Sequence, residues 1–279
     1  QHMITNRDQL IDALANNSSR IVIDKASIAN SAAGQFHSLW RANGQPGPGA
    51  IPAAAATCSQ STTGGMRFSQ QTAPATSYLA YLEALSNTSA QTVEVHDRLM
   101  HMGGLSGTLT TAQTVGIDFN GVTADNMAER IGDADYSDIQ WWLEWYADTG
   151  ATAVTATAAV TYNDGTTGNL TGVSLAATRR ASFMQPLNGL IPAASAGKFI
   201  RAVNTVTLSA STGTAGNFGV TATRLRGSLF MPIANAKFSA DWASLPINTI
   251  PNSACPFIAV LPGTTNTGAL RGGGKIAHG

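Results

Sequence analysis

This chain has little charge. Charged residues fill 11% of its 279 positions, against about 25% in an average soluble domain. Sixteen basic residues balance sixteen acidic ones, and no run of Lys or Arg occurs. Phosphate backbones are held by clustered cations, so no direct nucleic-acid partner is expected. Cysteine is as scarce. Cys58 and Cys255 are the only two, too few for a disulfide scaffold, and free thiols are the simpler expectation. No apolar run approaches the roughly 18 residues of a membrane-spanning helix, so no membrane partner is expected. Gln1-His2-Met3 reads as a cloning scar, and without a targeting segment the expectation is cytosolic synthesis.

Catalytic signatures are missing too. There is no serine nucleophile elbow, no zinc-binding HExxH and no phosphate-binding P-loop. Gly272-Gly273-Gly274-Lys275 lacks the P-loop spacing and reads as a flexible glycine turn. The expectation is a protein that is not an enzyme and carries no cofactor or metal.

What the chain does have is apolar pattern. Hydrophobic residues reach 43%, and a chain of this length can bury about 75% of its unfolded surface. A helix is expected over residues 4–17, where Leu10, Ile11 and Leu14 recur at helical spacing, with Thr5 as N-cap and Asp8 reaching back. Ile21-Val22-Ile23 reads as a short strand. The Gly-Pro-Gly loop around Pro46 and Pro48 and the small-residue stretch after it make 43–65 an extended arm. From residue 76 onward the texture is strand and turn. Trp141, Leu143 and Trp145 point to one side of a strand, with Trp142, Glu144 and Tyr146 on the other. Asn163-Asp164-Gly165 supplies a tight hairpin turn. Gly103-Gly104 reads as a turn, and 199–209 is expected to pair with 218–225. The fold class expected is mainly β: an antiparallel β-sandwich or jelly roll with a short N-terminal helix and extended arm. Residues 4–75 would form the helix, short strand and arm, and 76–279 the jelly-roll-like sandwich.

Three clusters look reactive. His96-Asp97-Arg98, with His101 nearby, cannot converge on one strand, because Asp97 faces away from its neighbours; structural hydrogen bonds are the expectation. Asp133, Asp135 and Asp138, with Asp125 and Glu129 upstream, offer hard oxygen ligands for calcium but not at EF-hand spacing. Glu144 beside Trp142 and Trp145 could serve a sugar site, since aromatics stack on sugars, although inter-sheet packing explains the same residues. Arg224 and Arg226 share a strand face that would either be solvated or meet an acidic partner.

Several segments are similar to a known group. Asp24-Lys25-Ala26-Ser27 leads to Phe36-His37-Ser38-Leu39-Trp40 and the Gly-Pro-Gly loop. His96-Asp97-Arg98-Leu99 and Gly103-Gly104-Leu105-Ser106-Gly107 follow, then Trp142-Leu143-Glu144-Trp145-Tyr146. Val203-Asn204-Thr205-Val206-Thr207-Leu208 and Thr212-Gly213-Thr214-Ala215-Gly216-Asn217-Phe218 complete the set. Together they resemble structural proteins of tailed-phage virions, of the capsid decoration or cement type. That resemblance implies a non-enzymatic role in the virion, assembled in the host cytoplasm. Its partner would be the major capsid protein, and the chain would form a dimer or trimer. The residues expected to touch partners are Trp40, Pro46 and Pro48 of the arm region, Arg179 and Arg180, and Arg271 of the glycine-rich C-terminal arm. A carbohydrate-binding β-sandwich module, or a tail or neck adhesin, is the alternative.

Overall fold

The computed structural model describes residues 3–279; Gln1 and His2, part of the segment read as a scar, lie outside the described residues. The described chain is mainly β, with antiparallel sheets and a short helix near the N-terminus. In chain order the first elements are α1 (Arg7–Asn16), β1 (Ser18–Lys25), β2 (Phe36–Ser38), β3 (Gly44–Gln45), β4 (Ala56–Thr57), β5 (Ser77–Ser86), β6 (Gln91–Leu105) and β7 (Gln113–Asp118). Then come α2 (Met127–Arg130), β8 (Gln140–Ala147), β9 (Val154–Tyr162), β10 (Thr167–Leu175), β11 (Phe183–Pro186) and β12 (Ile200–Leu208). The last four are β13 (Asn217–Met231), β14 (Phe238–Asp241), β15 (Pro256–Pro262) and β16 (Leu270–His278).

The helix starts three residues later than the expected span of 4–17, because a different side chain caps it. Asn6, not Thr5, is the N-cap, accepting from the Gln9 N–H at 2.9 Å. Gln9 in turn accepts from the Thr5 N–H and hydroxyl at 2.7 and 2.9 Å. Reciprocal bonds of this kind satisfy the free N–H groups of a first turn.

The chain divides into two compact units, each of interleaved segments. Unit 1 takes residues 3–50, Ser59–Asp97 and Leu225–Gly279; unit 2 takes Ile51–Cys58 and Arg98–Arg224. This is not the division at 75/76 expected from texture. β6 and β13 each divide between units, at Asp97/Arg98 and Arg224/Leu225, so long-range strand pairing overrides chain order.

In unit 1 a five-stranded sheet has the order β14-β5-β16-β1-β3. β15 pairs with β2 and with the first half of β6. Ile21, Ile23, Leu79, Leu82, Val95, Ile258 and Ile276 share one buried apolar cluster. The glycine-rich C-terminus is neither a flexible turn nor an arm. It is β16, a central strand between β1 and β5. Side chains at Gly272 or Gly274 would run into the β5 backbone at Glu83 and Tyr81, so these glycines serve close approach between strands.

In unit 2 a four-stranded sheet has the order β10-β9-β12-β7, and β8 lies between β11 and the first half of β13. The alternation read along β8 holds: Trp141, Leu143 and Trp145 enter the core with Val160, Leu170 and Phe218. Trp145 stacks on Phe218 at 5.5 Å between ring centroids. Two pairings differ from expectation. β12 pairs with β7 and β9, while the segment of β13 expected beside it pairs with β8. Gly103-Gly104 is not a turn; it lies inside β6, where Gly103 leaves room for Ile51 and Tyr146.

The β9–β10 hairpin forms where Asn163-Asp164-Gly165 places it. Only Gly165 has a positive φ, 82°. The Gly165 N–H bonds to Tyr162 O at 2.9 Å and the Tyr162 N–H to Thr166 O at 2.8 Å, which is a type I turn closed by a glycine bulge. Gly165→Ala is expected to cost about 1 kcal/mol, the penalty of a left-handed backbone carrying a Cβ. An unchanged urea midpoint for this variant would argue against it.

Candidate functional site

The strongest candidate is the polar face of β8 in unit 2. Glu144 is buried at 1% exposure and Arg98 at 0%. Arg98 donates to the two carboxylate oxygens at 3.3 and 2.6 Å. Tyr146 donates its hydroxyl to Glu144 at 3.1 Å, and the Thr221 hydroxyl donates to the same oxygen. Arg98 also reaches Tyr146 at 2.9 Å, Thr221 at 3.1 Å and Nδ1 of His101 at 3.0 Å. His101 therefore accepts through an unprotonated Nδ1.

These bonds decide what the cluster can do. Burial works against the Arg98 charge, but the adjacent Glu144 outweighs it and holds the guanidinium pKa above its usual value. Burial likewise raises the Tyr146 hydroxyl above the ordinary tyrosine range. Three donors converge on Oε2 of Glu144 and one on Oε1, so the carboxylate is fixed in an ion pair and, at 1% exposure, shut off from solvent. Trp142 is buried at 3% exposure, with its Nε1 donating to Thr223 Oγ1 at 2.9 Å. A sugar cannot stack on a buried ring. Of the two readings of Glu144 and Trp142, the structure thus has packing, joined by ion pairing.

Unit 1 treats its own candidates in the same way. Asp97 accepts from Arg226 at 3.1 Å and from the Cys255 N–H at 2.8 Å, with both ion-pair partners at 0% side-chain exposure. His96 pairs with Glu94 at 2.7 Å. Arg226 is thus neither solvated nor free for an acidic partner; its strand neighbour two residues back, Arg224, bonds to Asp138 at 2.9 Å within unit 2. That bond also draws Asp138 out of the acidic loop. Asp135 is turned to Ser137, whose hydroxyl first and whose N–H at 2.9 Å second lower its pKa. Among the described residues no group of three or more His, Cys, Asp or Glu could hold a metal ion. Cys58 and Cys255 are both buried and are not joined in a disulfide.

Of the six expected partner residues, Trp40, Pro46, Pro48 and Arg271 belong to unit 1, and Arg179 and Arg180 to unit 2. Trp40 is fully buried, so its indole is not a contact surface. Its Nε1 donates to Ala50 O at 2.8 Å, and it meets Phe257 edge-on at 6.0 Å. Pro46 is half-buried and Pro48 exposed. Arg179 lies 4.2 Å over the Phe183 ring and donates to Ser174 O at 2.9 Å, capping a carbonyl of β10, an edge strand. Arg180 pairs with Asp148 and Arg271 with Asp24, each at 2.7 Å and largely exposed.

Two buried cations carried no sequence signal. Arg130 donates to Cys58 O at 2.7 Å and Arg98 O at 2.9 Å. Lys25, 1% exposed, donates to Ala42 O at 3.0 Å and to Pro46 O, and burial lowers its pKa to about 8. The unfolded chain then binds the Lys25 proton more tightly than the folded one between about pH 8 and the ordinary lysine value of 10.5. Stability from this group therefore rises with pH across that window. Urea unfolding at pH 7.5 and pH 10 should show a rise in the wild type that Lys25→Met lacks; equal pH slopes would disprove it.

Among the described residues no helix is long and apolar enough to cross a membrane, which leaves β-barrel spans unaddressed. No protein-family model matches the chain, and no curated protein does. Of solved structures, it is similar to a mutant VP2 protein of infectious bursal disease virus in derived T=1 particles. That match has 12% identity, covers 100% of this chain and 84% of the other, and has a TM-score of 0.15. It is also similar to infectious bursal disease virus of the Gx strain, with 12% identity, 96% and 86% coverage and a TM-score of 0.17. TM-scores this low establish neither a shared fold nor a shared role.

Proposed function

We propose that this chain is a non-enzymatic virion structural protein that binds the outer capsid of a tailed phage as a decoration or cement component. The observation that carries the non-enzymatic part is the burial of Glu144 in an ion pair with Arg98. The best-placed carboxylate in the molecule is 1% exposed and bonded to Arg98, Tyr146 and Thr221. The virion part is supported by the resemblance of the segments around Trp40, His96, Trp142, Val203 and Thr212. On this reading the protein acts through its surface. It associates symmetrically as a dimer or trimer, the usual way a subunit serves a closed lattice. The major capsid protein is its partner, assembly takes place in the host cytoplasm, and the finished particle is its location.

The test is direct. Purified chain mixed with undecorated tailed-phage capsids should bind in a fixed number per capsid, counted by electron cryomicroscopy and by sedimentation. Particles that emerge bare at saturating protein would sink the decoration reading.

A further inference from the structure

Unit 1 leaves part of one sheet edge open. β1 pairs along its whole length with β16 on one side. On the other side β3 covers it only at Asp24 and Lys25. The hydrogen-bond phase follows from two flanking bonds. The His278 N–H bonds to Asn17 O on the β16 side, and the Ala26 N–H to Asn43 O on the β3 side. In an antiparallel ladder alternate residues bond to opposite neighbours. Ser18, Arg20 and Val22 therefore turn their N–H and C=O groups toward the side that β3 does not reach. Pairing with β3 ends at Asp24 and Gln45.

A cleft of about 330 Å³ runs beside this edge. Arg20, Ile21 and Val22 form one wall, and residues 45–47 and 62–67 the rest. A bond from the Ser69 N–H to Ser19 Oγ at 2.8 Å closes one end, and β3 closes the other. The result is a slot about four residues long, with two residues offering backbone donors and acceptors. Val22 is 48% exposed, Arg20 and Arg67 are exposed, and neither arginine is in an ion pair among those of the described residues.

We propose that the β1 edge from Arg20 to Ile23 binds a short extended segment of another protein by strand addition, with an acidic side chain of that segment between Arg20 and Arg67. Strand addition takes its affinity from main-chain hydrogen bonds and its selectivity from the side chains alongside. Here the selectivity is for negative charge. A second copy of this chain fits less well, because two β1 edges paired about a two-fold axis would bring their Arg20 side chains onto one face. The proposal is independent of the virion reading, since any protein with an accessible acidic strand would serve.

The experiment uses the full ¹⁵N-labelled chain and two synthetic capped pentapeptides, Thr-Val-Glu-Val-Thr and its Lys-centred counterpart. The Glu peptide should shift amide resonances at Arg20, Val22 and residues 45–47, and should slow amide exchange at Arg20 and Val22. It should bind about fivefold more tightly than the Lys peptide, the scale of exposed charge pairs. The double variant R20E/R67E, altered only at exposed side chains, should reverse that preference. Absence of shifts at millimolar peptide would overturn the proposal, as would a preference that survives charge reversal. Protection of Arg20 and Val22 that grows with protein concentration and needs no peptide would assign the edge to a second copy instead.

Discussion

Replacing Glu144 with glutamine is expected to cost about 3–5 kcal/mol of unfolding free energy, the range for breaking a buried ion pair from one side. The variant keeps the shape of the side chain and removes only its charge. Arg98, at 0% exposure, would then hold a guanidinium charge away from water with no carboxylate beside it. Arg98→Met should cost a similar amount, since it leaves the Glu144 carboxylate buried with only hydroxyl donors. The informative measurement is the double variant R98M/E144L, which removes both charges together. Replacing a buried pair by apolar groups of similar volume is often close to neutral. The double variant should therefore be more stable than either single one in urea titrations followed by tryptophan fluorescence. If the two single losses simply add, the pair is not coupled and the account of the site is wrong.

Trp40→Ala should have a comparable effect, about 3–5 kcal/mol, because it empties a fully packed aromatic site. Trp40 is 0% exposed and is the post around which residues 44–50 and 62–65 are laid. A side chain at Gly49 or Gly64 would strike its ring, and the Gly49 N–H bonds to Trp40 O at 2.8 Å. Removing the indole should also release this loop, so trypsin should cut after Arg41 in the variant well before it cuts the wild type. Gly49→Ala approaches the same contact from the other side and should cost about 1–3 kcal/mol by overpacking. A Trp40→Ala protein with wild-type stability and unchanged proteolysis would show that the loop is held elsewhere.

The legible and illegible parts of the site differ in a physical way. The face on which each β8 side chain lies could be read directly, because side-chain direction alternates with a period of two whatever the partners are. That placed Trp141, Leu143 and Trp145 in the core and Glu144 with Trp142 and Tyr146 opposite. What lay across from that face could not be read. Arg98 is 46 positions from Glu144 and Thr221 is 77, and no local pattern relates them. Arg226 next to Arg224 looked like a charged surface stripe, yet one of the two is fully buried against Asp97. A charge pattern along one strand carries no information about the charge that neutralises it.

The strand edge followed the same rule. Pro46 was visible as a loop residue, but only the β1–β3 register showed that pairing ends at Gln45 and leaves Arg20 and Val22 open. The glycine run Gly272-Gly273-Gly274 shows the converse. Glycine permits both a turn and a close approach between strands, and the β1 and β5 neighbours decided for the second.

By itself, then, the sequence determined what depends on neighbours along the chain: the β character, the side-chain phase of β8, the hairpin at Gly165 and the position of α1 to within three residues. The tertiary structure alone decided which strands pair, that β6 and β13 divide between two units, and that the most reactive-looking charges neutralise one another. Propensity and periodicity are local, whereas pairing and burial depend on residues brought together from far along the chain.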